Sequence, residues 1–452
     1  MSEKPRLFGT DGVRGAAGEY PLDPVTVRGL GRAIGNVLGL EARSGAPRVL
    51  VGEDTRESSA GIARSLAAGL KSSGVAITYA GVITTPAVAL LTREQGFDAG
   101  IVISASHNPY HDNGIKVLAS TGMKLSETAE LEIERRLAAM NAPDGETDAS
   151  KLETRSELAG EYVDRLQALT LLPRGTKGLR IVIDCANGAA SAIAPRLAGA
   201  CEWKATVMNA EPDGRNINRD CGSLHPERMA RAVKEAGADF GVAFDGDADR
   251  AIFATRAGHI ADGDHVLYAA APFLKARGGI RGRAVVGTLM TNLGLERALA
   301  GHGIGLTRTP VGDKYVLEEM LRSGSNLGGE PSGHIIFGDV SLSGDGMITL
   351  LQVVRMISET GRTLDELVAG FSKFPQIIRN VRVKEKTPLE LLAPVRGAMD
   401  DCRREMGDRG RMVVRYSGTE PLARVMVEAE DSDLVERHAA RIASAIQGVL
   451  GV

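Results

Sequence analysis

Three aspartates stand close together at the end of an apolar run, in the segment FDGDADR at residues 244–250. Only one small residue separates Asp245 from Asp247 and Asp247 from Asp249, and carboxylates this close repel one another unless a cation neutralises them. Alternate side chains of an extended strand lie roughly 6.6 Å apart, so the chain must curl to bring three carboxylates onto one ion. Oxygen ligands that leave positions open for phosphate and water favour Mg²⁺.

The aspartate segment has two possible interpretations other than a magnesium site. A calcium-binding EF-hand loop also begins with alternating aspartates, but its twelfth position should be Glu and here is Arg256. A solvated acidic turn stays open, although an apolar strand that leads straight into three aspartates is unusual for a plain turn. Arg250, directly after the third aspartate, could clamp a phosphate beside the metal.

The segment ISASHNPYHDNGIK, at residues 103–116, supplies a hydroxyl, an imidazole and an amine after another apolar run. Ser106 could act as a nucleophile or carry a phosphoryl group, and Lys116 could shuttle protons if a desolvated site lowers its pKa. His107 could orient either group. Taken alone, the same residues also fit a turn in which the serine only bonds backbone groups.

Two further loops have the composition of ligand-binding segments. GGEPSGH, at residues 328–334, places Glu330, Ser332 and His334 between glycines, which suits recognition of sugar hydroxyls but also a β-turn with a surface histidine. RYSGTEPLAR, at residues 415–424, has the composition of a phosphate cradle, although a solvated hairpin is the alternative. The candidate phosphate ligands of this last loop are Arg415, Ser417, Gly418, Thr419 and Arg424.

The elements that must position these loops follow an α/β pattern. Short β-branched runs alternate with helical stretches, for example RVLVG near 48–52, a helix over 58–71 and AGIVIS from 99, which predicts a mainly parallel sheet. The same order restarts near 179 and again near 284. Ligands bind at the carboxyl ends of parallel strands, where the segments that contain Ser106 and the three aspartates begin.

The final segment predicts a different architecture. NVRVKE, a helix across 387–404, RMVVRY, ARVMVEAE and a last helix indicate an antiparallel sheet with helices on one face. The fold class is therefore α/β: three related domains with mixed, mainly parallel sheets plus a C-terminal α+β domain, arranged around a central cleft. The predicted domain limits are 1–155, 156–256, 257–372 and 373–452.

Composition bounds the kinds of partner and compartment. An apolar content of 43% and a charged content of 25% are typical of a globular protein, and a net charge of -3 offers no field that would attract a nucleic acid. No apolar run is long enough for a membrane span, and the start of the chain has no export signal. Four cysteines, none in a CxxC pair, fit a reducing cytoplasm. No P-loop, dinucleotide-binding GxGxxG or HExxH motif is present, which counts against nucleotide hydrolysis, dinucleotide redox chemistry and zinc proteolysis.

The motifs FGTDGVRG at 8–15, SASHNP, DGDADR, GEPSGH and YSGTEP occur in this order, and the chain therefore resembles the α-D-phosphohexomutase superfamily over nearly its whole length. The sequences of the segments INRDCGSLHPE, TLMTNLGLE and TPVGDKYV are most similar to those of the bacterial phosphoglucosamine mutases. The resemblance implies four domains around a cleft, each contributing one loop. It also implies a small-molecule sugar phosphate as partner, and it leaves a homodimer open.

The resemblance assigns a role to each loop. It implies that Ser106 is the phosphoserine donor and that a phosphoserine oxygen holds Mg²⁺ together with the three aspartates. Arg14 and Arg250 would support the transferring phosphate, and Lys116 would be the general acid/base with help from His334. Sugar hydroxyls would contact Glu330 and Ser332, and the fourth loop would hold the other phosphate.

The reaction that the resemblance implies is interconversion of glucosamine 6-phosphate and glucosamine 1-phosphate through glucosamine 1,6-bisphosphate, a step in the supply of cell-wall amino sugars. Pro331 and Lys314 depart from the Gln and Arg that are usual in close relatives, which puts sugar preference in doubt. The alternatives are a phosphoglucomutase or phosphomannomutase for neutral sugars, a phosphatase, and a non-catalytic sugar-phosphate sensor. A sensor, however, has no need of a serine, a lysine and a metal site together.

Overall fold

Four β-sheets follow one another along the chain in a computed structural model, which describes residues 7–9, 11–41, 45–140, 152–170, 172, 176–417 and 421–452. The first three sheets share a plan: three adjacent parallel strands form one side of the sheet, and one or two strands in antiparallel pairing form the other side. The fourth sheet is wholly antiparallel among the described residues. The predicted fold class is therefore confirmed.

The first sheet has the strand order β1-β5-β4-β2-β3. Its strands are β1 (Val13–Ala16), β2 (Arg48–Glu53), β3 (Ala76–Val82), β4 (Ala99–Ile103) and β5 (Asp112–Ala119). The helices are α1 (Pro24–Glu41), α2 (Ser59–Ser72), α3 (Thr85–Glu94) and α4 (Glu127–Ala139). The helix predicted over 58–71 thus begins one residue later. Thr84 starts α3 by accepting a hydrogen bond from the Ala87 amide, with a proline in the first turn where no amide is needed.

The second sheet has the order β10-β9-β8-β6-β7. Its strands are β6 (Arg180–Asp184), β7 (Lys204–Met208), β8 (Phe240–Phe244), β9 (Ala251–Thr255) and β10 (Ile260–Ala261), and its helices are α5 (Leu158–Thr170), α6 (Ala190–Ala200) and α7 (Glu227–Ala236). A short 3₁₀ turn covers Gly222–Leu224. The two-residue strand β10 pairs with β9 although the predicted second domain stops at residue 256. The domain limits as a whole stay a prediction.

The third sheet has the order β12-β11-β13-β14. Its strands are β11 (Ala284–Thr288), β12 (Gly305–Thr309), β13 (Leu327–Gly329) and β14 (Ile335–Phe337). Its helices are α8 (Gly263–Ala276), α9 (Leu293–Gly301), α10 (Asp313–Ser323), α11 (Gly346–Thr360) and α12 (Leu364–Val368). The Asp345 carboxylate caps α11 by accepting from the amides of Met347 and Ile348.

The fourth sheet, β15-β17-β16, consists of β15 (Gln376–Arg382), β16 (Gly410–Tyr416) and β17 (Leu422–Ala429), with α13 (Ala393–Met406) and α14 (Ser432–Leu450). Short 3₁₀ turns cover Leu389–Leu391 and Gly407–Arg409. The predicted helix over 387–404 is wrong at its start. Pro388 and Pro394 explain the difference, because proline fits only the first turn of a helix and Pro394 therefore fixes the beginning of α13.

The apolar core joins the first three units and leaves the fourth on its own. One buried cluster runs from Leu91 on α3 through Leu166 on α5 and Phe253 on β9 to Leu350 on α11. The fourth unit packs α13 and α14 on its sheet around a separate cluster that includes Val425. Contact between apolar side chains across three units fixes the loops between them with respect to one another. No helix among the described residues is long and apolar enough to cross a membrane.

Candidate active site

The first three predicted loops all follow the same strand of their respective sheets. Ser106 comes three residues after β4, Asp245 directly after β8, and Glu330 directly after β13. Each of these strands is the edge member of the parallel trio and pairs with the antiparallel extension. The carboxyl ends of parallel strands are where ligands bind in α/β sheets, so the shared topology explains why three distant segments meet.

Ser106 is buried and its backbone is left-handed, with φ +52°. Its hydroxyl donates a hydrogen bond of 2.6 Å to Asp245 Oδ2, and its Oγ lies 3.2 Å from Nδ1 of His107. A positive φ is uncommon for a residue other than glycine and often marks a functional position. The predicted nucleophile and the first predicted metal ligand are thus in direct contact.

The three aspartates form a cluster in which one carboxylate oxygen from each lies within 4.8 Å of the others. All three are buried. Burial is the largest influence that raises the pKa of Asp245 well above its usual range, and repulsion from Asp249 and Asp247 adds to it. Asp247 Oδ1 and Asp249 Oδ1 are buried without a hydrogen-bond partner among the described residues. Buried carboxylate oxygens without a partner fit the ligands of a hard divalent cation such as Mg²⁺.

Lys116 lies in the middle of β5 and reaches the same cluster. Its Nζ is 2.7 Å from Asp247 Oδ2, 3.5 Å from Asp249 Oδ2 and 3.3 Å from Asp11 Oδ2. Burial alone would lower the pKa of Lys116, but the three carboxylates more than offset burial and raise it well above the usual value. The prediction that desolvation lowers this pKa is therefore wrong for the arrangement seen here, because opposite charges surround the ammonium.

A cavity of ≈ 860 Å³ opens in front of this cluster, between the first and third units. Six of the predicted site residues line it: Arg14, His107, Asp249, Arg250, Glu330 and His334. Lys314 also lines the cavity. The space and its basic and acidic walls suit a hexose that carries phosphate.

The two histidines of the site differ in their charge. Burial is the largest influence that lowers the pKa of His107 to about 4, with Arg250 and Arg14 adding to it. Burial would also lower the pKa of His334, but Asp249, Asp313 and Glu330 raise it to about 9. At neutral pH His107 is therefore neutral and His334 carries a positive charge.

The third loop is only partly directed at the cavity. Glu330 accepts a hydrogen bond of 3.1 Å from the Gly312 amide, which holds its carboxylate at the cavity wall. The Ser332 hydroxyl is buried without a hydrogen-bond partner among the described residues, and Ser332 is not one of the cavity-lining side chains. Pro331 uses its carbonyl to accept from the Gly263 amide at the start of α8.

The fourth loop joins β16 to β17, as predicted, with Arg415 directly opposite Arg424 in the antiparallel register. Ser417 is buried, and its carbonyl accepts a hydrogen bond of 2.7 Å from Lys386. Gly418 and Thr419 lie outside the described residues. No residue of the fourth unit that the structure describes lines the ≈ 860 Å³ cavity. The structure therefore assembles three of the four loops at one place.

Several contacts of the site were not predicted from the sequence. Asp11 forms ion pairs with Lys116, with Lys124 at 2.7 Å and with Arg14. Lys124 in turn bridges to Asp313 of the third unit at 2.7 Å. Thr85 Oγ1 donates to Asp247 Oδ2. Arg56 donates to the Ser106 carbonyl in the serine loop, which is the segment at residues 103–116. Most of these pairs join residues far apart in the sequence, although Asp11 and Arg14 are only three residues apart. Asp11 stands in FGTDGVRG and Asp313 in TPVGDKYV, but neither had a predicted role.

Comparison with known families agrees with this geometry. Models of four domains of the phosphoglucomutase/phosphomannomutase family match residues 5–143 (alpha/beta/alpha domain I), 160–258 (domain II), 262–374 (domain III) and 379–445 (C-terminal domain). The matches cover most of the chain in the order of the four sheets. The chain therefore belongs to the phosphoglucomutase/phosphomannomutase family of α-D-phosphohexomutases.

Curated relatives narrow the family further. The chain is 48% identical to the phosphoglucosamine mutase of Koribacter versatilis (strain Ellin345), over 99% of this chain and 98% of the relative. It is 47% identical to that of Solibacter usitatus (strain Ellin6076), over 98% and 99%. Within the superfamily it groups with the phosphoglucosamine mutases.

Solved structures share the fold at lower identity. A phosphoglucomutase/phosphomannomutase family protein from Burkholderia thailandensis matches with a TM-score of 0.79 at 23% identity, over 99% of both chains. N-acetylphosphoglucosamine mutase of Aspergillus fumigatus, in complex with GlcNAc-6P and magnesium, matches with a TM-score of 0.68 at 18% identity, over 98% of this chain and 95% of that one. These two likenesses bear on the architecture alone.

Proposed function

We propose that the protein is an intramolecular phosphotransferase of the isomerase class that interconverts glucosamine 6-phosphate and glucosamine 1-phosphate. The observation that carries the proposal is the hydrogen bond of 2.6 Å from the Ser106 hydroxyl to Asp245, within an aspartate cluster that Lys116 also contacts. A non-catalytic sensor has no need of this combination of a sheltered serine, a metal cluster and a buried lysine. Full-length similarity to phosphoglucosamine mutases supports the amino sugar as substrate.

In the proposed resting enzyme Ser106 carries a phosphoryl group. One phosphoserine oxygen and the carboxylates of Asp245, Asp247 and Asp249 would hold Mg²⁺. When bound, the metal supplies positive charge that offsets the negative charge on the transferring phosphoryl group. The carboxylate oxygens that lack a partner support this assignment, because a cation would satisfy them.

Transfer breaks the bond between phosphorus and Ser106 Oγ and forms one to the free hydroxyl of the sugar phosphate, which gives glucosamine 1,6-bisphosphate. Lys116 enters protonated, gives a proton to Ser106 Oγ, and receives the proton that the sugar hydroxyl loses, so charge and atoms balance. Arg14 and Arg250, which line the cavity, support the phosphate during transfer. His107 and His334 border the same space and assist.

The bisphosphate then turns round, and its other phosphate returns to Ser106. The fourth loop, with Arg415, Ser417, Gly418, Thr419 and Arg424, holds whichever phosphate is not reacting, and Glu330 and Ser332 contact sugar hydroxyls. Transfer within one enclosed site keeps the phosphoryl group from water, which separates a mutase from a phosphatase.

The cellular setting is part of the proposal. The four cysteines are free and buried, which suits a reducing cytoplasm. The proposed partner is the sugar phosphate itself, and neither the net charge nor the described helices indicate a nucleic acid or a membrane as partner. A homodimer stays a prediction that light scattering of the purified chain would check.

Phosphorus NMR with three substrates tests the substrate. Glucosamine 6-phosphate, glucose 6-phosphate and mannose 6-phosphate are each followed with Mg²⁺, phosphorylated enzyme and a trace of the matching bisphosphate. We expect the glucosamine ester to convert to its 1-phosphate fastest. If a neutral sugar phosphate is converted faster, the assigned substrate is wrong but the proposed chemistry stands. If inorganic phosphate is released and no isomer forms, the protein is a phosphatase and not a mutase.

Removal of the serine tests the chemistry. Ser106→Ala should lose nearly all turnover, because no oxygen is left to carry the phosphoryl group. Ser72→Ala, at an exposed position near the end of α2, is the matched control and should behave as the wild type. Normal turnover by Ser106→Ala would contradict the phosphoserine route.

A further inference from the structure

The guanidinium of Arg56, which lies just after β2, has every one of its N–H groups engaged. The residue is 3% exposed. Nε donates to Asp54 Oδ2 at 2.9 Å, so the arginine has its own counter-ion. The two terminal nitrogens donate to four backbone carbonyls of the serine loop: Ser106 (3.0 Å), Asn108 (2.8 Å), Asp112 (3.0 Å) and Pro109. A guanidinium has five N–H donors, and all five have an acceptor here.

Asp54, the counter-ion of Arg56, is linked to the amide of the same serine through Ser104. Asp54 Oδ2 accepts from the Ser104 hydroxyl at 2.7 Å, and the Ser104 hydroxyl oxygen accepts from the Ser106 amide at 2.9 Å. Arg56 therefore holds the carbonyl of Ser106, and Asp54 holds its amide through Ser104. The two peptide groups that flank the nucleophile are fixed by one buried ion pair.

The second unit contacts the same carbonyl through Asn218. Asn218 Nδ2 donates to the carbonyls of Ser106 at 2.9 Å and Asn108 at 3.1 Å. A Cβ added at Gly246, between two of the aspartates, would lie 2.4 Å from the Ser106 carbonyl oxygen. The serine loop and the aspartate loop are therefore in backbone contact, and the direction of the Ser106 carbonyl sets how they meet.

We infer that Arg56 is a positioning residue for phosphoryl transfer: it holds the Ser106 backbone in its left-handed conformation so that Oγ faces Asp245. Such a conformation is strained for a residue with a Cβ, so it persists only where surrounding bonds impose it. Because Asp54 neutralises the guanidinium, Arg56 acts through geometry rather than through its charge. The inference rests on the proposed function, since it assumes that Ser106 carries the phosphoryl group.

Arg56→Lys tests the inference because it keeps the charge but has three donors instead of five. The rate is measured with whichever of the three hexose 6-phosphates the wild type converts, so that failure of the glucosamine assignment does not affect the result. We expect kcat to fall about 10- to 100-fold with KM within about twofold, as for a small misplacement of a reacting group. Arg64→Lys, an exposed arginine on α2, is the matched control and should retain wild-type kcat.

Thermal unfolding of each variant separates positioning from simple loss of fold. A folded Arg56→Lys protein with wild-type kcat, or a loss of kcat that only follows the unfolded fraction, would overturn the inference. If Arg56→Lys does not fold, Arg56→Gln replaces it, because glutamine has two N–H donors instead of five. Arg56→Gln should lower kcat at least as much at unchanged KM, and wild-type kcat in that folded variant would overturn the inference equally.

Discussion

Asp247 is the proposed metal ligand that lies nearest to Lys116, with Oδ2 2.7 Å from Nζ. Its Oδ2 accepts from Lys116 and Thr85, and its Oδ1 has no partner among the described residues. Asp247→Asn removes one negative charge while it keeps the shape. We expect kcat to fall about 10²- to 10³-fold, in line with the loss of one strong electrostatic contributor at a reacting group. The Mg²⁺ concentration for half-maximal activity should rise at the same time.

A titration of activity with Mg²⁺ measures both effects. Asp164→Asn, at an exposed position on α5, is the matched control and should titrate as the wild type. An Asp247→Asn enzyme with the Mg²⁺ dependence of the wild type would show that Asp247 does not bind the metal and would contradict the proposed magnesium site.

Residues that act within one short segment could be predicted from the sequence, and residues that act across the fold could not. The aspartates share five positions of chain, and Ser106 stands next to His107 in one motif, so residue type and spacing indicated their chemistry. Arg56 contacts carbonyls 50 or more residues further on. Backbone carbonyls carry no sequence signal, and an arginine after a strand has no distinctive pattern of its own.

Glu53, at the end of β2, is a buried carboxyl that the proposed mechanism does not use. Burial is the main cause that raises the pKa of Glu53 to about 7 from an ordinary value of 4.5, against a hydrogen bond from Tyr79 that lowers it. The folded state therefore binds a proton that the unfolded state has lost between pH 4.5 and 7. The stability of the wild type should decrease as pH rises through this window, because the unfolded chain releases a proton that the buried carboxyl keeps.

Glu53→Gln should remove this dependence, since glutamine stays neutral and can still accept from Tyr79. We expect the variant to be more stable than the wild type by about 1–3 kcal/mol at pH 8 and equally stable near pH 4.5. Urea unfolding at the two pH values measures the difference. Glu235→Gln, exposed on α7, is the control, and an equal stability of Glu53→Gln and wild type at pH 8 would contradict the prediction.

The order of elements could be read from hydrophobic pattern, whereas strand direction at the sheet edges could not. Alternation of β-branched runs with helices predicted the three parallel strands in each of the first three sheets. The antiparallel extensions β5 with β1, β9 with β10, and β14 follow from pairings that no local pattern specifies. The late start of α13 has a local cause, because Pro394 fits only the first turn of a helix. The predicted start at residue 387 is inconsistent with this proline.

At the scale of the whole molecule, the fourth unit differs from the other three in how it is held. Its apolar core is separate, and it contacts the third unit through buried polar groups around the start of α9. Arg411 donates to the carbonyls of Leu289 (3.0 Å) and Thr291 (2.6 Å) and pairs with Glu428 at 2.9 Å. Glu428 also accepts from the Leu293 amide. Interfaces between domains that rely on polar contacts commonly allow relative motion.

The position of the fourth loop makes motion of this unit a requirement of the proposed function. No described residue of the fourth unit lines the ≈ 860 Å³ cavity, yet Arg415 and Arg424 are proposed to hold the phosphate that is not reacting. We therefore predict that a bound sugar phosphate draws the fourth unit toward the other three, because the two arginines gain charge-assisted bonds only in the closed form.

Small-angle X-ray scattering of Ser106→Ala, which binds but cannot transfer, measures this closure without turnover. Saturating glucosamine 6-phosphate should reduce the radius of gyration of this variant. Adding Arg415→Ala and Arg424→Ala to Ser106→Ala should abolish the reduction, because the closed form then gains no phosphate contacts from the fourth loop. Calorimetry confirms that ligand is bound in the single variant. An unchanged radius of gyration in that liganded protein would mean that the fourth loop does not close on the substrate, and another group would have to hold the second phosphate.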